Sequence, residues 1–269
     1  MIRLPRQPLL LAARLGLLGL LGLSACDTLD GARGADSIFA IVQSTTPEDA
    51  AELALDRYNV DNRYRGVTLL ADASFGGAES YIRLYEDASR DEDSGVRQAG
   101  IRALGLHGRP EHAAMIAQRL TDEDPHVRRE AAMALQRLHN PVVTRALIRS
   151  ISQENEVVSG VRAEAAHALG QYRQHPVLDA LVIALDDPSL AVNAATIESL
   201  ETLTGQNFGL DRFAWTAWID ESPNPFLAGR VYAYPGFERD RKLIEYLPFV
   251  PGPPNEPEGA PIGLPRDGG

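Results

Sequence analysis

The chain has 269 residues, of which 23% are charged, and its 37 acidic and 26 basic side chains give a formal net charge of −11. An acidic surface repels phosphate, so nucleic acid and anionic membrane surfaces are disfavoured as partners. The sequence contains one cysteine, Cys26, which excludes a framework of disulfides within the chain. The length is ample for one elongated domain and a tail.

The amino terminus has the pattern of a secretory signal. Residues 1–14 include three arginines and no acid, and residues 15–23 are only leucine and glycine, as in the basic and apolar regions of a signal peptide. The apolar run is nine residues long, or 17 if it begins at Leu9 and includes Arg14, whereas a spanning helix needs about 20. We therefore predict a signal peptide over residues 1–25.

The apolar run ends in Leu23, Ser24, Ala25 and Cys26, which resembles the lipobox of bacterial lipoproteins. The resemblance implies lipid on Cys26, a firm anchor of several acyl chains, and a place in the bacterial cell envelope facing the periplasm or exterior. Asp27 is similar to a retention signal of some two-membrane bacteria and favours the inner membrane. The alternative is an ordinary secretory signal that leaves an unpaired thiol, which is unusual in an oxidising compartment.

A helical repeat follows a predicted flexible tether over residues 26–45. Small and apolar residues recur at offsets of 0, 4, 7 and 8, which is one face of a helix. Amphipathic runs at 113–120, 142–151 and 177–185 lie between the copies, so each unit is a pair of helices. The pattern predicts an all-α fold, an α-solenoid over residues 46–222. The copies begin at Tyr64, Val96, Val127, Val161 and Val192, which are 32, 31, 34 and 31 residues apart, and their second residues are Arg65, Arg97, Arg128, Arg162 and Asn193.

Four helix starts are indicated by a capping residue followed by proline. A proline at the first helical position loses no hydrogen bond, because its missing donor would be unpaired there. The four pairs are Thr46–Pro47, Asp124–Pro125, Asn140–Pro141 and Asp187–Pro188.

The repeat units resemble HEAT repeats, specifically the short bacterial kind of phycobilin lyase-type proteins. The segments with this resemblance are residues 93–107, 124–139 and 158–172. It implies a ladder of aspartate and arginine along the stack. Asp93 with Arg97, and Asp124 with Arg128, are four residues apart and predict pairs within one helix, while Arg162 has no such acid. We assign these residues a structural role; partner binding by the arginines is the alternative.

The end of the repeat region resembles the segment that closes HEAT-repeat proteins of envelope-rich bacteria such as planctomycetes. Phe208, Trp215 and Trp218 are predicted to cap the apolar end of the last repeat, with partner binding as the alternative. Residues 223–269 contain ten prolines and seven glycines and predict an irregular extension. We expect residues 226–250 to lie against the solenoid and the chain to be mobile from Pro251 onward.

No motif for catalysis is present: the sequence lacks HExxH, a phosphate-binding loop and a nucleophile elbow, and its six histidines have no compact ligand spacing. We predict no catalytic residue, metal or cofactor. The leading hypothesis is a noncatalytic scaffold whose concave face binds a protein or peptide in the cell envelope. The alternatives are a lyase-like or maturation enzyme, suggested by the phycobilin lyase resemblance, and a structural tether between the membrane and other envelope layers.

Overall fold

The computed structural model describes residues 46–236, 238–246 and 255–265. These residues form eleven α-helices, and their only β-structure is two isolated bridges, so the fold is all-α as predicted. Several predictions concern residues outside the described ranges: the signal peptide, the lipobox residues Leu23, Ser24 and Ala25, the lipidation site Cys26, Asp27 and the tether.

The helices form five pairs followed by one closing helix. Short 3₁₀ turns lie at Pro110–His112, Arg119–Thr121, Pro141–Val143 and Leu243–Tyr246. In chain order the helices are α1 (Pro47–Ala54), α2 (Val60–Ala71), α3 (Glu79–Ala88), α4 (Ser94–His107), α5 (Ala113–Gln118), α6 (Pro125–Arg137), α7 (Thr144–Ile151), α8 (Ser159–Leu169), α9 (His175–Ala184), α10 (Leu190–Thr204) and α11 (Arg212–Glu221).

The second helices of the pairs stack on one another, α2 on α4, α4 on α6, α6 on α8 and α8 on α10, while α1, α3, α5, α7 and α9 pack against their partners. Small residues permit the close approach within a pair. A Cβ added at Gly100 would lie 2.5 Å from the backbone nitrogen of Ser89, and one added at Gly66 would lie 2.2 Å from that of Ala54. One hydrophobic core extends from Ala50 to Trp215, as expected of stacked repeats.

The first repeat is in a different register from the one predicted. Gly66 occupies the close contact that Gly100 makes in the second repeat, so this copy begins at Asn62. Its arginine is therefore Arg63, and the predicted start at Tyr64 is wrong by two residues. The corrected starts at 62, 96, 127, 161 and 192 are separated alternately by 34 and 31 residues.

Three of the four proline signals mark the places predicted. Pro47 begins α1, Pro125 begins α6, and Pro141 opens the 3₁₀ turn before α7. The fourth is wrong, because α10 begins at Leu190, two residues after Pro188. The carboxylate of Asp187 is bound instead by Arg162.

The C-terminal extension returns from the last repeat to the third. The backbone N–H of Arg230 donates to Thr202 O in α10 at 2.7 Å. Further along, Ile262 forms a parallel bridge with Leu138 at the end of α6. Residues 255–265, which we call the tail segment, therefore lie against the solenoid. The expectation of a mobile chain from Pro251 onward is wrong for these residues.

Candidate functional site

Four arginines of the second helices each bind a carboxylate of the following repeat through both Nε and Nη2. The eight nitrogen–oxygen distances lie between 2.6 and 3.0 Å. Such two-point contacts match the planar guanidinium to a carboxylate and are stronger than single ion pairs. We call these pairs the arginine ladder: Arg63–Asp91, Arg97–Asp122, Arg128–Glu156 and Arg162–Asp187.

The ladder arginines also hold the loop before their own helix. Nη1 of Arg97 donates to Asp91 O at 3.0 Å, and Nη1 of Arg162 donates to Glu156 O at 2.9 Å. The carboxylates are bound in turn by backbone N–H groups, as when Val158 N–H donates to Glu156 Oε1 at 2.8 Å. Each arginine therefore connects two consecutive repeats through three hydrogen bonds or more.

The predicted pairs of Asp93 with Arg97 and of Asp124 with Arg128 are wrong. Asp93 and Asp124 are the N-caps of α4 and α6, where their carboxylates accept backbone N–H groups at 3.1 Å and 2.8 Å. A carboxylate that caps its own helix faces the helix end, while the arginine side chain extends to the next repeat. The ladder acids instead lie two residues before each N-cap.

Burial and charge act in opposite directions on the ladder carboxylates. Burial alone would raise the pKa of Asp91 and of Glu156. The hydrogen bonds and charges of Arg63 and Arg128 outweigh burial, so both pKa values lie below the usual range. The ladder ends where Asn193 replaces the arginine in α10, and Asn193 Oδ1 is buried without a hydrogen-bond partner among the described residues.

These shifts predict a loss of stability in acid. Because the folded-state pKa values of Asp91 and Glu156 are lowered, their contribution is present above the unfolded pKa values of about 4 and is lost as the pH falls through the folded values. We expect the melting temperature, followed by circular dichroism, to fall steeply below about pH 4. Asp91→Asn with Glu156→Gln should make that fall shallower, whereas Glu52→Gln on the surface should leave it unchanged; equal slopes in all three proteins would contradict the prediction.

A second polar site lies where the tail segment crosses the second helices. The carboxylate of Glu256 binds both Arg102 of α4 and Arg137 of α6. The guanidinium of Arg137 also lies over the ring of Tyr234, 4.8 Å from its centroid, and Tyr234 and Gly259 exchange two main-chain hydrogen bonds. We call this arrangement the Arg102–Arg137 site.

Glu130 lies beneath the Arg102–Arg137 site and is 9% exposed. Burial raises its pKa, although the charge of Arg102 and a hydrogen bond from Gln98 oppose the shift. Among the described residues, Glu130 forms no ion pair with the two arginines, which bind the carboxylate of Glu256 in the tail segment instead.

A cavity of about 730 Å³ separates the turns after α6 and α8 from the extension. The ring of His139 stacks on that of Tyr172 in its lining, with centroids 4.9 Å apart, and burial lowers the pKa of His139. Tyr232 Oη is buried and has no hydrogen-bond partner in the described part of the chain. The lining therefore combines aromatic rings and prolines with the polar side chains of Gln171, Gln174 and Arg230.

The three predicted cap residues lie together: Trp215 and Trp218 belong to α11, and Phe208 precedes it. Trp215 is fully buried, and its Nε1–H donates to Gly209 O at 3.0 Å. The ring of Phe208 meets that of Trp215 edge to face with centroids 4.9 Å apart, and lies 6.1 Å from that of Trp218.

Within residues 46–236, 238–246 and 255–265, no three His, Cys, Asp or Glu side chains are grouped as metal ligands. Over the same residues, no helix has the length and apolar character to cross a membrane.

The fold and the ladder define an all-α solenoid of HEAT-like helix pairs with an irregular C-terminal extension. Residues 83–160 match the family model of HEAT repeats, a class of protein whose stacked surfaces generally bind other proteins. The Escherichia coli protein YibA has a similar structure, with a TM-score of 0.51 and 19% identity over 81% of this chain and 82% of that one. This likeness concerns the fold alone.

Human deoxyhypusine hydroxylase in complex with glycerol aligns with a TM-score of 0.35 and 18% identity, over 73% of this chain and 91% of that one. At this score the alignment does not bear on function. No curated protein matches the sequence.

Proposed function

We propose that the protein is a noncatalytic interaction scaffold that holds an extended segment of a partner protein on the face of its second helices. We further propose that it is a lipoprotein, anchored to a membrane of the cell envelope by lipid on Cys26. The observation that supports the scaffold most directly is that this face already binds an extended segment of its own chain.

The contacts of the tail segment are of the kinds that hold extended peptides. Ile262 N–H donates to Arg137 O at 2.8 Å, and His139 N–H donates to Ile262 O at 2.9 Å. Main-chain bonds of this type supply affinity for any extended chain, while side-chain contacts supply specificity. The ion pairs of Glu256 are the specific contacts here.

A second candidate function, binding or modification of a small molecule, is favoured by one observation, the cavity beside Tyr172. Its volume of about 730 Å³ and its mixed aromatic and polar lining suit an organic ligand. This candidate corresponds to the lyase-like alternative. The third, a structural tether, requires attachment to envelope polymer.

Cross-linking in the native host separates these functions. A photo-reactive amino acid at Arg129, a half-exposed residue of α6, samples the second-helix face, and one at the exposed Arg145 of α7 is the matched control on a first helix. A stoichiometric protein captured from position 129 and not from 145 supports the scaffold. Recovery of wall polymer alone supports the tether, and a bound or altered small molecule supports the enzyme.

Lipidation is tested by replacing Cys26 with serine. We expect labelled palmitate to enter the wild-type protein grown in its host and to be absent from Cys26→Ser, because serine has no thiol to accept the lipid. The variant should leave the membrane fraction after carbonate extraction. Equal labelling of both proteins would refute the lipoprotein proposal while leaving the scaffold untouched.

A further inference from the structure

The geometry points to the Arg102–Arg137 site as the place where the scaffold recognises a glutamate or aspartate in an extended segment of its partner. In this structure the tail segment of the same chain occupies that site. This inference rests on the proposed scaffold function and names the class of partner. The solenoid supplies two cations, and a peptide supplies the anion.

The two arginines differ from the other arginines that connect adjacent second helices. Arg129 of α6 binds Glu164 of α8 at 2.8 Å, so the solenoid satisfies it internally. Arg102 and Arg137 form ion pairs only with Glu256 among the described residues. With the tail segment displaced, two guanidinium groups from consecutive repeats would lose their ion pairs, and the acid whose charge still acts on both would be the buried Glu130. Two adjacent guanidinium groups are a strong site for a carboxylate.

The backbone beside these arginines is prepared for an extended chain. Leu138 ends α6 with φ −122° and ψ 103°, an extended conformation that leaves Arg137 O and His139 N–H directed outward. Ile262 uses both groups through its main chain, and any extended residue can do the same. Recognition therefore requires an acid about six residues before the chain crosses Leu138, a span of roughly 20 Å.

The tail segment contributes little to the solenoid itself. The hydrophobic core contains no residue of 255–265, Ile262 is 49% exposed, and the buried member of the segment is Pro261. By contrast, the earlier part of the extension is anchored, since Tyr232 is 7% exposed. A displaced tail segment would remain attached through this anchor and act as a competitor at high effective concentration.

Peptide binding to the full chain in detergent tests the inference. The probe is a fluorescent peptide with the sequence of residues 255–265, measured by anisotropy. Glu256→Gln in the protein removes the carboxylate by which the tail segment binds the site. We therefore expect this variant to bind the probe at least tenfold more tightly than wild type. Glu258→Gln is the matched control, since Glu258 is an exposed acid of the same segment and should leave the affinity of the wild type unchanged.

The reciprocal changes identify the recognition residues. Arg102→Gln and Arg137→Gln, each combined with Glu256→Gln, should reduce probe affinity at least tenfold relative to Glu256→Gln alone. A probe with glutamine in place of its first glutamate should bind the Glu256→Gln protein as weakly. Thermal melts of all variants check that they fold. Equal affinity of wild type and Glu256→Gln, or no binding by either, overturns the inference. A protein captured at position 129 that the probe does not displace overturns it as well, yet preserves the proposed function.

Discussion

Replacing Arg162 with alanine is expected to lower the free energy of unfolding by about 3–5 kcal/mol, the range for a buried ion pair that loses one partner. The side chains of Arg162 and Asp187 are 5% and 1% exposed. Without the guanidinium, the carboxylate of Asp187 remains buried and loses two N–H donors, and Glu156 O loses a third.

Urea unfolding of the full chain, followed by circular dichroism, measures this effect as a lower midpoint at constant slope. Arg129→Ala is the control, because it removes an ion pair between adjacent second helices in which the arginine is 54% exposed. We expect that change to cost no more than about 1 kcal/mol. Similar losses for both variants would show that the ladder is not the structural connection we assign to it, and would favour partner binding by its arginines.

Replacing Trp215 with alanine is expected to cost about 3–5 kcal/mol, as for other large aromatic residues removed from a core. The indole is fully buried and donates to Gly209 O. Its loss would leave a cavity in the core at α11, the closing helix that packs on α9, and remove the edge-to-face partner of Phe208.

Hydrogen exchange read by mass spectrometry localises that effect. Because each repeat contacts only its neighbours, protection should fall first in α9, α10 and α11 and persist in α4 and α6. Trp218→Ala is the control, since Trp218 is only partly buried and should cost less. Uniform loss of protection along the chain would contradict a terminal cap, whereas equal effects of the two substitutions would contradict the larger contribution that we assign to the buried Trp215.

The helix pairs were predictable because a helix repeats its face within a few residues, and the proline signals located α1 and α6. The ladder pairing was mispredicted because a spacing of four residues indicates contacts within one helix only. Arg97 and Asp122 belong to different repeats and come into contact only when the repeats stack. A usable signal existed: an acid stands six residues before the arginine at Asp91, Asp122 and Glu156.

The Arg102–Arg137 site had no comparable signal. Glu256 is 154 residues from Arg102 and 119 from Arg137, and neither distance in the chain reflects a helical or repeat spacing. Composition correctly indicated that the described residues of the extension contain no α-helix. It could not show that 255–265 are held, because a few ion pairs and main-chain bonds fix this segment without an apolar pattern.

The ladder joins consecutive repeats through ion pairs along one edge of the stack, whereas the opposite edge is joined by hydrogen bonds such as that from Gln171 Nε2–H to Leu135 O at 2.9 Å. The carboxylates of the ladder lie just before the second helices begin, so its four ion pairs join the repeats along that edge. The tail segment crosses near the opposite ends of these helices, at Arg137 and Leu138. If the stack bends about the ladder, the distance between Arg102 and Arg137 changes. We therefore expect bending of the solenoid to change the affinity of this site for a carboxylate.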